Sequence, residues 1–124
     1  TTRLMLYSMK PSDPIRPKAN PPGRLIYQMH YPNILFKSFE QILNTFFEDA
    51  NEEWSTDLPR PKVACLAVAG IVSDNQCRYT NLDWVVNGDE LARNLGICRV
   101  EVLNDFVAQG YGVLTLADSE VVTL

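Results

Sequence analysis

The sequence V-E-V-L-N-D-F, at residues Val100–Phe106, indicates the class of fold more clearly than any other segment. Apolar residues alternate within it, which predicts a strand over Arg99–Leu103. Two small polar residues, Asn104 and Asp105, follow this strand, and the apolar spacing beyond them predicts a helix. In open α/β sheets, ligands bind outside the carboxyl ends of the strands. The segment therefore predicts an α/β domain with a ligand site where this strand ends.

The N-terminal third of the chain predicts two strands and one long helix. Strands are expected over Arg3–Ser8 and Leu25–Tyr31, joined by a segment, 10–24, that holds five of the eight prolines. Because proline fixes φ and removes a backbone donor, we interpret 10–24 as an inserted surface loop. Apolar residues recur with helical period over Ser38–Ala50, which predicts an amphipathic helix. Ser38 and Gln41 have the spacing of a capping box at its start.

The segments between that helix and the strand at Arg99–Leu103 complete an α/β order. Val63–Ala69 is a continuous apolar run, so we expect a strand covered on both faces, with Cys65 as a buried apolar filler. Asn87 is placed to cap a second helix, and Gly96 is placed to end it. Strands that alternate with helices in this way predict a layered mixed sheet with flanking helices.

The composition excludes several classes of function. Eleven basic residues face fifteen acidic ones, a net charge of −4, which disfavours binding to nucleic acid or an anionic membrane. No apolar run approaches the roughly 20 residues that a membrane span needs. Three cysteines and one histidine suggest neither a disulfide framework nor a histidine-rich metal site. We expect a single soluble domain in a reducing compartment.

Two groups of polar residues could carry chemistry. Asp105 could accept a proton from a substrate hydroxyl while Asn104 orients that substrate, but Asp105 could equally serve as a helix cap. Thr80 and Asn81 offer a hydroxyl and an amide just before Trp84, which suits a ligand rich in hydroxyl groups. On local evidence alone, an ordinary polar turn is the favoured interpretation of that pair. Both alternatives stay open at this point.

Several of these segments together resemble the N-terminal part of bacterial-type glucokinase, an ATP-dependent hexose kinase of the actin-like, ribonuclease-H-like superfamily. The resemblance is carried by A-V-A-G at Ala67–Gly70, T-N-L-D-W at Thr80–Trp84, N-L-G at Asn94–Gly96 and V-E-V-L-N-D-F-V-A at Val100–Ala108. It covers most of the chain, and 10–24 resembles an insertion.

This resemblance implies a role for each candidate residue. It makes Asp105 the general base that faces the 6-hydroxyl of glucose or a related hexose, and it makes Asn104 a ligand of neighbouring hydroxyls. Thr80 and Asn81 would line the same sugar pocket. The implied reaction is in-line attack of the sugar oxygen on the γ-phosphoryl group of Mg-ATP, which depends mainly on positioning and charge stabilisation. No residue of this chain is assigned to the nucleotide or to a metal.

The resemblance also implies that residues 1–124 are a fragment, the N-terminal sugar-binding domain of a longer cytoplasmic kinase. The family's glycine-rich phosphate loop and its nucleotide-binding half lie outside this sequence, and Ile71 stands where proline is usual. We therefore expect an incomplete ribonuclease-H-like domain, inactive alone, whose open sheet edge favours a homo-oligomer. The alternatives are a non-catalytic sugar-sensing or interaction module on the same fold, or an unrelated α/β domain.

Overall fold

A computed structural model describes residues 1–8, 23–79 and 82–108 of the chain. Its elements, in chain order, are β1 (Thr2–Ser8), β2 (Arg24–Tyr31), a 3₁₀ turn (Asn33–Leu35), α1 (Phe39–Trp54), β3 (Val63–Val68), β4 (Gln76–Arg78), β5 (Val85–Asn87), α2 (Gly88–Leu95) and β6 (Arg99–Asn104). Residues 105–108 are helical as well. This is the α/β order that the sequence predicts, with two further short strands, β4 and β5, between β3 and α2. The predicted loop at 10–24 lies almost wholly outside the described residues.

The strands form three two-stranded sheets in the described part of the chain. β1 pairs with β2 and β4 with β5, both antiparallel, while β3 and β6 are parallel. In the parallel pair Val63 lies opposite Arg99, and Val68 lies opposite Asn104. The carboxyl ends of β3 and β6 therefore meet at one edge, which is where the sequence predicts the ligand site.

Helix α1 confirms the predicted amphipathic pattern. The Ser38 hydroxyl accepts a hydrogen bond from the backbone N–H of Gln41 (3.2 Å), as a helix cap should. The Gln41 side chain accepts from the backbone N–H of Lys37 (2.7 Å), one residue earlier than a capping box requires. The helix continues one turn beyond the predicted end, and there the Trp54 indole donates to the carbonyl of Ile26 (3.1 Å). Its buried residues are those of the predicted stripe: Phe39, Ile42, Leu43, Phe46, Phe47 and Ala50.

Strand β3 corrects one prediction. Leu66 and Val68 are buried in the core, but Val63 and Cys65, on the alternate face, are exposed. The expectation of a strand covered on both faces is therefore wrong for the described residues, and so is that of Cys65 as a buried filler. A run of apolar residues shows which positions can be buried, but the elements that cover each face are set by the rest of the fold.

The second helix starts and ends where the sequence predicts. The Asn87 side chain accepts from the backbone N–H of Glu90 (3.1 Å), and Gly96 ends α2 with a left-handed φ of 70°. The hairpin of β4 and β5 next to it was missed. The tight turn before β4, between the bridged residues Ser73 and Gln76, holds Asp74 and Asn75 at φ of 52° and 60°, the positive values that a type I′ turn requires and that Asp and Asn tolerate.

Candidate functional site

A cleft of about 400 Å³ opens where β3 and β6 end. Its lining comes from segments far apart in the sequence: Thr1, Asn33, Ala67–Ala69, Tyr79, Leu82 and Asp105. Ala67 and Val68 are the last two residues of β3, and Asp105 directly follows β6. The parallel pairing of these strands therefore brings the predicted acidic residue to a concave surface.

The Asn104 side chain links the two strand ends. Its Nδ2 donates to the backbone carbonyl of Gly70 (2.7 Å), just beyond β3. Its Oδ1 accepts from the backbone N–H of Phe106 (2.9 Å). A side-chain amide has two N–H donors and two acceptor lone pairs, so these two bonds use half of its capacity. Asn104 therefore joins the ends of β3 and β6 beside the cleft, although it is not among the described residues that line the cleft.

Asp105 is half-buried at the first position of the following helix. Residues 105–108 are helical, so the residue before them, Asn104, is the helix cap. The sequence left open that Asp105 is this cap, and the structure gives that role to Asn104. One oxygen of Asp105, Oδ1, also lies 3.0 Å from the backbone nitrogen of Phe106. Asn104 thus caps the helix, and its neighbour Asp105 provides the carboxylate in the cleft.

Gly70 permits the close approach of the turn after β3 to strand β4. A Cβ atom at Gly70 would lie 2.9 Å from the sulfur of the buried Cys77, closer than side-chain carbons are found. The carbonyl of the same residue accepts the Asn104 bond. A larger residue at position 70 would therefore have to displace the Cys77 side chain, whereas the neighbouring Ile71 is exposed.

The predicted pair Thr80 and Asn81 lies outside the described residues, but the residues on either side of it are described. Tyr79 and Leu82 both line the cleft. The backbone N–H of Tyr79 donates to the carbonyl of Trp84 (2.9 Å), and the Trp84 ring is buried with its centroid 6.1 Å from that of Tyr79. Burial raises the pKa of Tyr79 above its ordinary value of 10, and Cys77 makes a smaller contribution in the same direction.

Sequence reasoning missed Thr1, Asn33, Tyr79 and Leu82 as lining residues. Asn33 is held by the hydroxyl of Thr2, which donates to its Oδ1 (2.5 Å) across 31 positions of sequence. Such a contact leaves no local pattern, although the Tyr31–Pro32 pair marks the end of the strand before it. Only the fold brings these segments together.

The described residues provide a carboxylate but few partners for a phosphate or a metal. No lysine or arginine is among the described residues that line the cleft. Across 1–8, 23–79 and 82–108 there is also no group of three His, Cys, Asp or Glu residues that could hold a metal ion. Over the same ranges, no helix has the length and apolar character to cross a bilayer. The described lining thus combines four apolar residues with the polar residues Thr1, Asn33, Tyr79 and Asp105.

The fold and the cleft define a partial domain of the mixed α/β class with a candidate site at its strand ends. A solved structure with this fold is the glucokinase from an Antarctic psychrotroph, with a TM-score of 0.69 at 23% identity over 96% of this chain and 34% of that one. A family model described as glucokinase matches residues 15–124. The chain belongs to the glucokinase family.

Curated relatives are consistent with this membership. The chain is 37% identical over 99 residues to a glucokinase from Synechocystis sp., a match that covers 80% of this chain and 28% of that protein. It is 36% identical over 88 residues to a glucokinase from Nostoc punctiforme, covering 71% and 24%. The chain thus spans about a quarter of the length of these relatives.

Proposed function

We propose that this chain is the sugar-binding domain of a cytoplasmic enzyme that phosphorylates glucose, or a related hexose, at the 6-hydroxyl with Mg-ATP. The observation that carries the proposal is the position of Asp105, which directly follows β6 and lines the cleft at the strand ends. Membership of the glucokinase family supports the choice of reaction. The catalytic unit in this proposal is a polypeptide of the length of the glucokinase relatives.

Asp105 is the general base in this scheme. Its carboxylate would accept the proton of the sugar hydroxyl, so that the oxygen becomes a better nucleophile for phosphoryl transfer. The helix that starts at Asp105 and the strand that ends at Asn104 fix the backbone on both sides of this carboxylate. Such a rigid support suits phosphoryl transfer, because that reaction depends mainly on positioning and electrostatic stabilisation.

Neutral amide and hydroxyl groups would hold the sugar. Asn104 does not itself line the cleft, but it directly precedes Asp105, which does; it is proposed to offer the N–H and the lone pair that its bonds to Gly70 and Phe106 leave available. Thr80 and Asn81 are proposed as further ligands, because the residues that flank them, Tyr79 and Leu82, line the cleft. Short neutral hydrogen bonds of this kind fix the orientation of a ligand in a mostly apolar site.

The nucleotide is the second substrate, and the described lining does not fit it. A triphosphate needs cationic side chains or a cradle of backbone N–H groups, and the described lining of the cleft offers no lysine or arginine. We therefore assign the sugar side of the reaction to this chain. The nucleotide contacts are assigned to other parts of the proposed full-length enzyme.

The test is a coupled assay of glucose 6-phosphate formation by the full-length polypeptide, with wild type compared to Asp105→Asn. This substitution keeps the size of the side chain and removes the base, so kcat should fall by roughly 100- to 10,000-fold. The matched control is Asp57→Asn, at an exposed position outside the lining of the cleft, which should leave kcat within about twofold. A wild-type protein that binds glucose but does not phosphorylate it would favour a sugar-sensing module instead.

A further inference from the structure

A second polar side chain, Asn75, holds strand β6 from the side opposite β3. Its Oδ1 accepts from the backbone N–H of Val102 (2.7 Å), and its Nδ2 donates to the carbonyl of Val100 (2.7 Å). In a parallel sheet, one residue bonds in this way to the two residues that flank its partner on the next strand. The Asn75 amide therefore takes the place of a neighbouring strand opposite Glu101.

The same residue is joined to the start of helix α2. Its backbone carbonyl accepts from the N–H of Gly88 (2.9 Å), and its Nδ2 also lies 3.1 Å from a carboxylate oxygen of Asp89. A Cβ atom at Gly88 would meet the Asn75 amide and would lie 2.6 Å from the carbonyl of Val100. Residue 88 must therefore be glycine for Asn75 to reach β6.

The backbone of Asn75 is also adapted to this contact. Its φ of 60° lies in the left-handed region, which asparagine tolerates better than most residues. The tight turn of Asp74 and Asn75 is closed by two backbone hydrogen bonds between Ser73 and Gln76, each 3.0 Å. This geometry aims the amide at the edge of β6, while the adjacent Asp74 is exposed.

We propose that Asn75 is a positioning residue for the reaction, because it fixes the outer edge of the strand that carries Asn104 and Asp105. Val102, which donates to Asn75, lies two residues before Asn104. Asn104 is itself paired with Val68 of β3, on the opposite side of the strand. Loss of the Asn75 amide would leave the backbone of β6 hydrogen-bonded only on the side that faces β3. The Asp105 carboxylate would then shift relative to the cleft, and small misplacements of a catalytic group are costly.

This inference rests on the proposed function, and its test is a double-mutant cycle in the full-length polypeptide. Asn75→Gly removes the amide and keeps a residue that accepts positive φ. We expect kcat for glucose phosphorylation to fall by about 10-fold or more, with the KM for Mg-ATP little changed. When Asp105 is already Asn, Asn75→Gly should lower kcat less than about twofold further, because the base to be positioned is absent.

The matched control is Asp74→Gly, which makes the same kind of backbone change in the same turn and should leave kcat within about twofold. Circular dichroism checks that each variant is folded. If Asn75→Gly does not fold, Asn75→Asp replaces it, since this variant keeps an acceptor for Val102 and loses the donor to Val100.

The outcomes separate the two proposals. If Asp105→Asn alone leaves kcat unchanged, the proposed function is overturned. If Asp105→Asn lowers kcat but the Asn75 substitution has no effect, or lowers kcat by the same factor in both backgrounds, the positioning role alone is overturned. A loss that is confined to the background with Asp105 intact supports both.

Discussion

Replacement of Asn104 by alanine should destabilise the fold at the point where β3 and β6 end. The side chain makes two hydrogen bonds that alanine cannot make, to the carbonyl of Gly70 (2.7 Å) and from the N–H of Phe106 (2.9 Å). The first is a neutral hydrogen bond of good length and contributes about 1 kcal/mol. The second is a helix cap, but Asp105 can accept from the same N–H, so its loss costs only about 0.5 kcal/mol. The expected loss in the free energy of unfolding is about 1.5 kcal/mol.

Equilibrium unfolding in urea, followed by tryptophan fluorescence, to which the buried Trp84 contributes, measures this loss. The matched control is Asn94→Ala. Asn94 donates to Glu40 (2.9 Å) on the exposed surface of the molecule, and its loss should change stability by less than about 0.5 kcal/mol.

Asn104→Asp separates the two bonds, because it keeps the acceptor for Phe106 and replaces the donor to Gly70 by a repelling oxygen. We expect it to lose at least about 1 kcal/mol at neutral pH. Equal unfolding midpoints for Asn104→Ala and Asn94→Ala would refute the assignment of Asn104 as the link between the strands.

Two further predictions concern the core around α1. Ile42 is fully buried on the helix, so Ile42→Ala should lower the free energy of unfolding by about 2–5 kcal/mol in the same urea titration; a loss below about 1 kcal/mol would contradict the packing described. Burial raises the pKa of Tyr31 above its ordinary value of 10, and so does its hydrogen bond to Asp49 (2.6 Å). Because the neutral phenol is favoured in the folded state, this stabilisation is complete below pH 10 and is lost as the pH rises above it. Above pH 10, the free energy of unfolding should therefore fall less steeply with pH for Tyr31→Phe than for wild type. Equal slopes of this free energy against pH in the two proteins would contradict the assignment.

Local patterns predicted the features that local chemistry controls. The apolar stripe of α1 and the Ser38 cap follow from residues one to four positions apart, and so do the caps of α2 at Asn87 and Gly96. The polar residues at 104 and 105 marked a strand end for the same reason. The sequence did not show that Asn104 caps the helix while Asp105 lines the cleft. Either residue is a good helix cap, and only the position at which the helix starts shows which one takes that role.

Features that depend on distant segments were missed. The apolar run of β3 looks the same whether one face is covered or both, so the exposure of Cys65 had no signature in the sequence. Strands β4 and β5 have three residues each, too few for an alternating pattern to be recognised. The pairing of Asn75 with β6 spans more than twenty positions, and in the sequence Asn75 resembles an ordinary turn residue.

The most direct test of the central proposal is the position of glucose in a crystal structure of the full-length polypeptide. We expect the sugar in the cleft lined by Asn33, Ala69 and Asp105, with its 6-hydroxyl at roughly 2.6–3.2 Å from an Asp105 carboxylate oxygen. Glucose bound elsewhere, such as in the hollow of about 620 Å³ beside Asp89 and Arg93, would contradict the assignment of this cleft and of its base.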